Sequence, residues 1–276
     1  MTEVLVGLLI LALVAGFVGA LSGLGGGVFI VPALVIIAHV PMYQAVAASL
    51  MSVVATSAGA SVAFVRDGWT NLRVAMVLEC ATVTGAVVGA FVAGYVPPWI
   101  LELLFALTML QSAYFSMRKQ DENVLAQCDA LARRLRLGGQ FPSPASEKPV
   151  KYGVENVPAG ALLMLLAGIM SGLLGIGAGA LKVLAMDSVM HLPLKVSSAT
   201  SNFMIGVTAG AGALVFLSRG DVPTVIAAPV ALGVTAGALA GSRVLAWADV
   251  KWLRKGFVVL QLLIALEMAW RAFASA

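Results

Sequence analysis

The chain is 276 residues long, 61% hydrophobic and 11% charged, with a mean hydropathy of +1.00. Soluble domains carry about 25% charged residues, so the composition speaks against a water-soluble core and for a polytopic membrane protein. The formal charge of +4 does not point to nucleic acid, because most basic residues lie in loops, where they orient membrane proteins.

In chain order, apolar runs fall at 4–21, 24–40, 44–65, 74–95 and 99–117. No Lys or Arg precedes the first, so it reads as a retained span rather than a cleaved signal. The second is short and follows "SGLGGG" (Ser22 to Gly27), which predicts a broken or re-entrant helix. The stretch from Arg118 to Asn156 is charged and ends rich in Pro, Ser and Gly. It reads as a solvated linker with a short helix at 121–137. Five more runs fall at 158–175, 178–193, 197–217, 223–247 and 252–272. The second of these again opens on glycines, "GIGAG" (Gly175 to Gly179). Cys80 and Cys128 have no metal-ligand spacing, and no disulfide is expected.

The two sets of five align without a gap at an offset of 152 residues, the separation of His39 and His191. Gly16, Gly23, Gly25 and Gly27 then meet Gly168, Gly175, Gly177 and Gly179; Pro41 meets Pro193, and Ser49 and Thr56 meet Ser201 and Thr208. Chance matching of apolar residues would not readily pair His-x-Pro and four glycines in one register, so the chain reads as an internal duplication. An odd number of crossings per half inserts the copies in opposite senses. The basic residues agree when the Arg-rich linker is put in the cytoplasm. "RDGWTNLR", "HLPLK" and "ADVKWLRK" then lie inside, while their partners "SRGDVP", "HVPMY" and "GYVPPW" lie outside with one Arg among them. The expected fold is all-α and polytopic. Membrane repeats occupy 1–117 and 158–276, a cytoplasmic linker occupies 118–157, and both termini lie outside a cell inner membrane.

Inverted repeats are a transporter architecture, with substrate bound near the midplane where discontinuous helices expose backbone groups. Gly25, Gly26, Gly27, Gly177 and Gly179 are therefore candidates to offer backbone N–H groups to an anion. Close helix packing is the alternative, and for the Gly-x-x-x-Gly pairs Gly85/Gly89 and Gly237/Gly241 it is the expectation. Lys182, whose repeat partner is Ile30, is a candidate counter-charge for one anion; snorkelling to the interface is its other reading. Ser49, Thr200, Ser201 and Asn202 would add neutral hydrogen bonds, although Ser and Thr also bond back within membrane helices. Glu79, Asp187 and His191 are candidates for a proton relay, against structural roles as a buried carboxyl or a cap. Asp187 and His191, four apart, would share a helical face. The two His-x-Pro steps read as helix ends, not a metal site. "GLGGG" lacks the Lys-Ser/Thr of a nucleotide loop, and neither cofactor nor metal is expected.

These residues resemble the sulfite exporter TauE/SafE family of anion permeases. The resemblance is carried by "GALSGLGGGVFIVPAL" (Gly19 to Leu34) and "AGIMSGLLGIGAGALKVLAMDSVMHLPLKVSSATSNFMIGVTAG" (Ala167 to Gly210), and it covers nearly the whole chain outside the linker. The first copy matches the family motif with Gly25, Gly26, Gly27 and Pro32. In the second, Gly175, Gly177 and Gly179 match, Ala178 replaces the middle glycine and Leu184 stands where Pro32 aligns. The resemblance implies a secondary transporter for sulfite or organosulfonates, with alternating access. Its partners would be a small anionic substrate and the lipid bilayer, with a homo-oligomer left open and no nucleic acid. A passive anion channel and a non-transporting scaffold are the alternatives. An enzyme is not expected, since His39 and His191 would end on opposite membrane faces.

Overall fold

The computed structural model describes residues 2–22, 26–117, 128–142, 149–222, 224–245 and 250–275. The first half holds α1 (Thr2–Ser22), α2 (Gly27–Pro32), α3 (Met42–Arg66), α4 (Leu72–Ala93) and α5 (Pro98–Met117). The linker holds α6 (Ala130–Arg134) and an antiparallel pair, β1 (Gly139–Phe141) and β2 (Val150–Tyr152). The second half holds α7 (Val157–Leu174), α8 (Gly179–Leu184), α9 (Leu194–Ser218), α10 (Thr224–Leu245) and α11 (Val250–Ser275).

Five described stretches, Leu72–Ala93, Pro98–Phe115, Val157–Leu174, Leu194–Ser218 and Gly256–Ala274, are long and apolar enough to cross a membrane. By length α1, α3 and α10 reach as far, with 21, 25 and 22 residues. The two broken segments do not. α2 and α8 each continue for one wide turn of π-helix, Ala33–Ile37 and Ala185–Val189. Six α and five π residues rise roughly 16 Å, half of a ~30 Å hydrocarbon core. Each segment ends on a histidine in left-handed conformation, His39 at φ 51° and His191 at φ 54°. His-x-Pro thus marks a helix end in both copies. The wide turn follows Pro32 in one copy and Leu184 in the other, so proline is not its cause.

At the 152-residue offset, the bounds of α2, its π turn, α3 and α4 recur without change as those of α8, its π turn, α9 and α10. Across the halves α1 packs on α10 and α4 on α7, while α3 meets α9 and α5 meets α11. Those contacts depend on small residues. A Cβ on Gly89 would collide with the Ile169 carbonyl in α7, and one on Gly237 with the Leu13 carbonyl in α1. Helix backbones approach this closely only where a side chain is missing.

The linker differs from its sequence reading. Helix is described at Ala130–Arg134, and 121–127 lie outside the described residues. Far from being solvated throughout, Ala132, Leu137, Phe141, Tyr152 and Val154 are buried in one cluster with Val74 and Leu78 of α4, Met190, Leu192 and Val196. Asp129 ties entry to exit: its Oδ1 accepts from Ala132 N (2.7 Å) and its Oδ2 from Asn156 N (2.9 Å). Asn71 then anchors the hairpin to the membrane part. Its Nδ2 donates to Leu137 O and to Tyr152 Oη, both at 2.8 Å, while its Oδ1 caps α4 by accepting from Val74 N at 3.1 Å. Burial pushes the Tyr152 phenol up to about 12.

Candidate functional site

The second break is built from backbone conformation. α7 stops at Gly175 (φ +71°), whose N–H returns to Ser171 O at 2.9 Å, an αL termination that glycine permits without a Cβ penalty. Gly177 (φ +69°) and Ala178 (φ +48°) are also left-handed, and α8 starts at Gly179. Ala178 therefore keeps the turn although it replaces a glycine of the motif, and its counterpart Gly26 is ordinary right-handed backbone at φ −61°. The two copies do not turn alike.

Two repeat-related serines hold this break from different halves. Ser49 Oγ, on α3, donates to Gly175 O at 2.7 Å. Ser201 Oγ, on α9, donates to Gly179 O at 3.2 Å. The first break reaches the same place, because a Cβ on Gly27 would stand 2.7 Å from Gly175 O and 3.0 Å from Ser49 Oγ. The starts of the two broken helices thus face a common centre. A cavity of about 20 Å³ lies there, bordered by Val28 of α2, Gly179 and Leu181 of α8, and Thr108, Gln111 and Ser112 of α5. It holds about one water molecule.

Lys182 lies one turn into α8 and is fully buried. Its Nζ donates to Thr208 Oγ1 of α9 at 2.6 Å, and that hydroxyl lies 2.6 Å from Glu79 Oε1 of α4. Three elements from both halves meet in this chain. Glu79 Oε2 is buried and has no hydrogen-bond partner among the described residues. A carbonyl, Met204 O, also lies 2.8 Å from Thr208 Oγ1.

Other sequence candidates are placed elsewhere. Thr200 is fully buried, and its Oγ1 accepts from the backbone N–H of Asn71 at 3.0 Å, so it faces the start of α4. The Asn202 side-chain Nδ2 donates to Ser198 O at 3.1 Å, while its backbone carbonyl accepts from Ser57 Oγ at 2.6 Å and Ser61 Oγ at 3.3 Å. It stitches α9 to α3. Gly26 precedes α2, where its carbonyl accepts from Phe29 N and Ile30 N; Gly25 lies outside the described residues. Asp187 sits in the second π turn. His191 follows that turn, which ends at Val189, so the helical face expected from their spacing is not formed. The His191 ring meets the linker instead, with Nδ1 3.0 Å from Glu155 Oε1.

Sequence reading missed two groups. Thr208 was visible only as a repeat match of Thr56, and nothing local marks it as the bridge between Lys182 and Glu79. Gln261 on α11 is fully buried, and its Nε2 donates to Ser112 Oγ at 3.1 Å. Polar residues inside the apolar runs 99–117 and 252–272 were the available signal.

Comparison with known proteins supplies the rest. The family model described as Sulfite exporter TauE/SafE matches residues 8–268. The chain is 27% identical to the "Probable membrane transporter protein YunE" of Bacillus subtilis (strain 168), over 86% of this chain and 87% of that protein. It is 22% identical to the "Probable membrane transporter protein YdhB" of the same organism, over 85% and 86%. It is 24% identical to the "Probable membrane transporter protein ORF9" of Sinorhizobium sp, over 95% and 90%. No solved structure matches. With a family match over nearly the whole of a helical, apolar chain, the protein belongs to the sulfite exporter TauE/SafE family of multi-pass membrane transporters, and is not an enzyme.

Proposed function

We propose that the chain is a secondary carrier for a small sulfur-containing oxyanion, sulfite or an organosulfonate, working by alternating access between inverted-topology repeats. The observation that carries the proposal is Lys182. A fully buried cation one turn into a broken helix, with no carboxylate in direct ion-pair contact among the described residues, is a group that membrane proteins keep for function. Its carboxylate counter-charge, Glu79, is reached only through the Thr208 hydroxyl, so an arriving anion gains a direct charge-assisted hydrogen bond at Nζ that no carboxylate already occupies. In this reading the amides near Gly26, Gly27, Gly177 and Gly179 offer the anion neutral donors, and Ser49 and Ser201 hold the break through Gly175 O and Gly179 O until it opens. Thr200 and Asn202, on either side of Ser201, stay engaged with α4 and α3. The cavity there takes about one water molecule, so entry of an oxyanion needs the broken helices to part. The exchange of contacts between halves, α1 with α10 and α4 with α7, supports two copies that rock against each other. In this reading the linker is cytoplasmic and both termini are outside.

Counterflow of labelled sulfite and labelled methanesulfonate into proteoliposomes, competed by sulfate, thiosulfate and acetate, tests the proposal beside Lys182→Met. Selective exchange that the variant loses, while eluting as the same folded species, supports the carrier and its charged site. Exchange surviving in the variant moves the anion to the glycine amides. No exchange by folded wild-type protein refutes the carrier.

A further inference from the structure

We infer that Lys182, Thr208 and Glu79 form a proton relay that obliges the protein to carry one proton with each anion; the inference rests on the carrier reading above. Nζ of Lys182 lies 2.6 Å from Thr208 Oγ1, and Oγ1 lies 2.6 Å from Glu79 Oε1. A threonine hydroxyl accepts one hydrogen bond while donating another, so the three groups form a continuous donor–acceptor line. A proton leaves Nζ for Oγ1 as the proton of Oγ1 passes to Glu79 Oε1. The N–H bond to Lys182 and the O–H bond of Thr208 break, and new O–H bonds form on Thr208 and Glu79. Charge and atoms balance: an ammonium and a carboxylate become an amine and a carboxylic acid. The proton carried with the anion then binds the amine and restores the ammonium, so one proton enters the site for one anion. When the hydroxyl turns instead to Met204 O, 2.8 Å away, the line is interrupted.

Electroneutrality couples this relay to the anion. Empty, the ionised pair sums to zero charge inside a low-dielectric wall. An anion beside Lys182 leaves one excess negative charge, which burial penalises. With the carried proton taken up, Lys182 is an ammonium and Glu79 an acid protonated at Oε1, the atom facing Thr208, so the anion brings the sum back to zero. The other carboxyl oxygen, Oε2, is buried without a hydrogen-bond partner among the described residues, a poor setting for a lasting carboxylate. The charge acting on Lys182 is that of Glu79, and the converse holds. The elements packed against them contribute few other ionisable groups. α7 has none and α9 has Lys195, exposed beside the Trp69 ring; the π turn has Asp187, α5 has Glu102 and Tyr114, and α4 itself has Arg73 and the exposed Cys80. The relay exists in one copy. The repeat counterparts of Lys182, Thr208 and Glu79 are Ile30, Thr56 and Ala231, and among the described residues Thr56 bonds back within its helix, to Ser52 O and Val53 O. One cation and one carboxyl suit one anion and one proton.

The test counts protons per anion. Proteoliposomes holding a pH dye, with the membrane potential clamped, receive labelled methanesulfonate, a monoanion that does not itself titrate near neutral pH, and dye signal is divided by label uptake. Wild type is expected to move about one proton per anion. Glu79→Gln and Thr208→Val, the latter leaving every charge in place, should bring that ratio close to zero, and Thr208→Ser should restore it. A wild-type ratio near zero, or a ratio unchanged in both Glu79→Gln and Thr208→Val, overturns the relay and leaves the carrier standing. Absence of anion uptake by folded wild type overturns both.

Discussion

Gly175→Ala probes the centre of the molecule, because two separate penalties meet there. Gly175 is left-handed at φ +71°, and an L-residue in that conformation costs about 1–2 kcal/mol. Its new Cβ would also stand 2.8 Å from the Val46 carbonyl and 3.0 Å from Val46 Cα, which are backbone atoms that cannot swing away. Overpacking of this kind costs about 1–3 kcal/mol, so the sum is about 2–5 kcal/mol. Two controls separate the parts. Gly68→Ala has the same backbone sign (φ +75°) with no atom within 4 Å, so it carries strain alone, about 1–2 kcal/mol. Gly27→Ala has no such φ but would meet Gly175 O and Val53 Cγ2 at 2.7 Å, so it carries the clash alone, about 1–3 kcal/mol. Thermal unfolding in detergent, followed by size-exclusion of the remaining monodisperse protein, should rank Gly175→Ala as the least stable. If it melts no earlier than Gly68→Ala, the packing of the second break against α3 is wrong.

Ser49→Ala should cost about 1–3 kcal/mol in the same assay, because it strips the buried Gly175 carbonyl of a donor; Ser52→Ala should cost less, since Ser52 only bonds back to Ala48 O in its own helix. Gly89→Leu should abolish the monodisperse folded peak by wedging α4 from α7, whereas Gly7→Leu, with no atom within 4 Å of its Cβ, should leave it intact. Asn71→Ala removes the linker's anchor and should speed hydrogen exchange across 128–142 and 149–156 at neutral pH. The Tyr152 phenol has a folded value raised from 10.0 to about 12, so its contribution is fully present below pH 10 and lost as pH rises through that window. The loss is about 2–3 kcal/mol, read from the fluorescence of a variant keeping Trp69 as sole tryptophan. Tyr152→Phe should flatten that dependence.

Element positions were legible in the sequence because hydrophobic length and turn chemistry are local. Each of the ten apolar runs holds helix among its described residues, and the gapless 152-residue offset carried the bounds of α2, its π turn, α3 and α4 over to the second half. Glycine clusters announced the breaks, and His-x-Pro announced their ends. The depth of the breaks was less legible: that α2 and α8 cover half a bilayer follows from where the π turns stop, at Ile37 and Val189. Such a stop depends on chain reversal, not on composition.

Contacts at long separation were decided by the tertiary structure. Lys182 and Glu79 were each visible as charges in apolar sequence, yet nothing near either names Thr208 as the hydroxyl between them, because the three lie on different helices. Thr200 and Asn202 read as a polar path, and folding turned the first to the backbone of Asn71 and the second into a stitch between α9 and α3. The linker misled for the same reason. Its charges and prolines suggest a solvated loop, but Phe141 and Tyr152 are buried, because the helix ends at Asn71 and Val196 offer an apolar floor that exists only once the halves have packed. A sequence displays what each residue prefers; which preferences are satisfied together depends on the other half of the chain being in place.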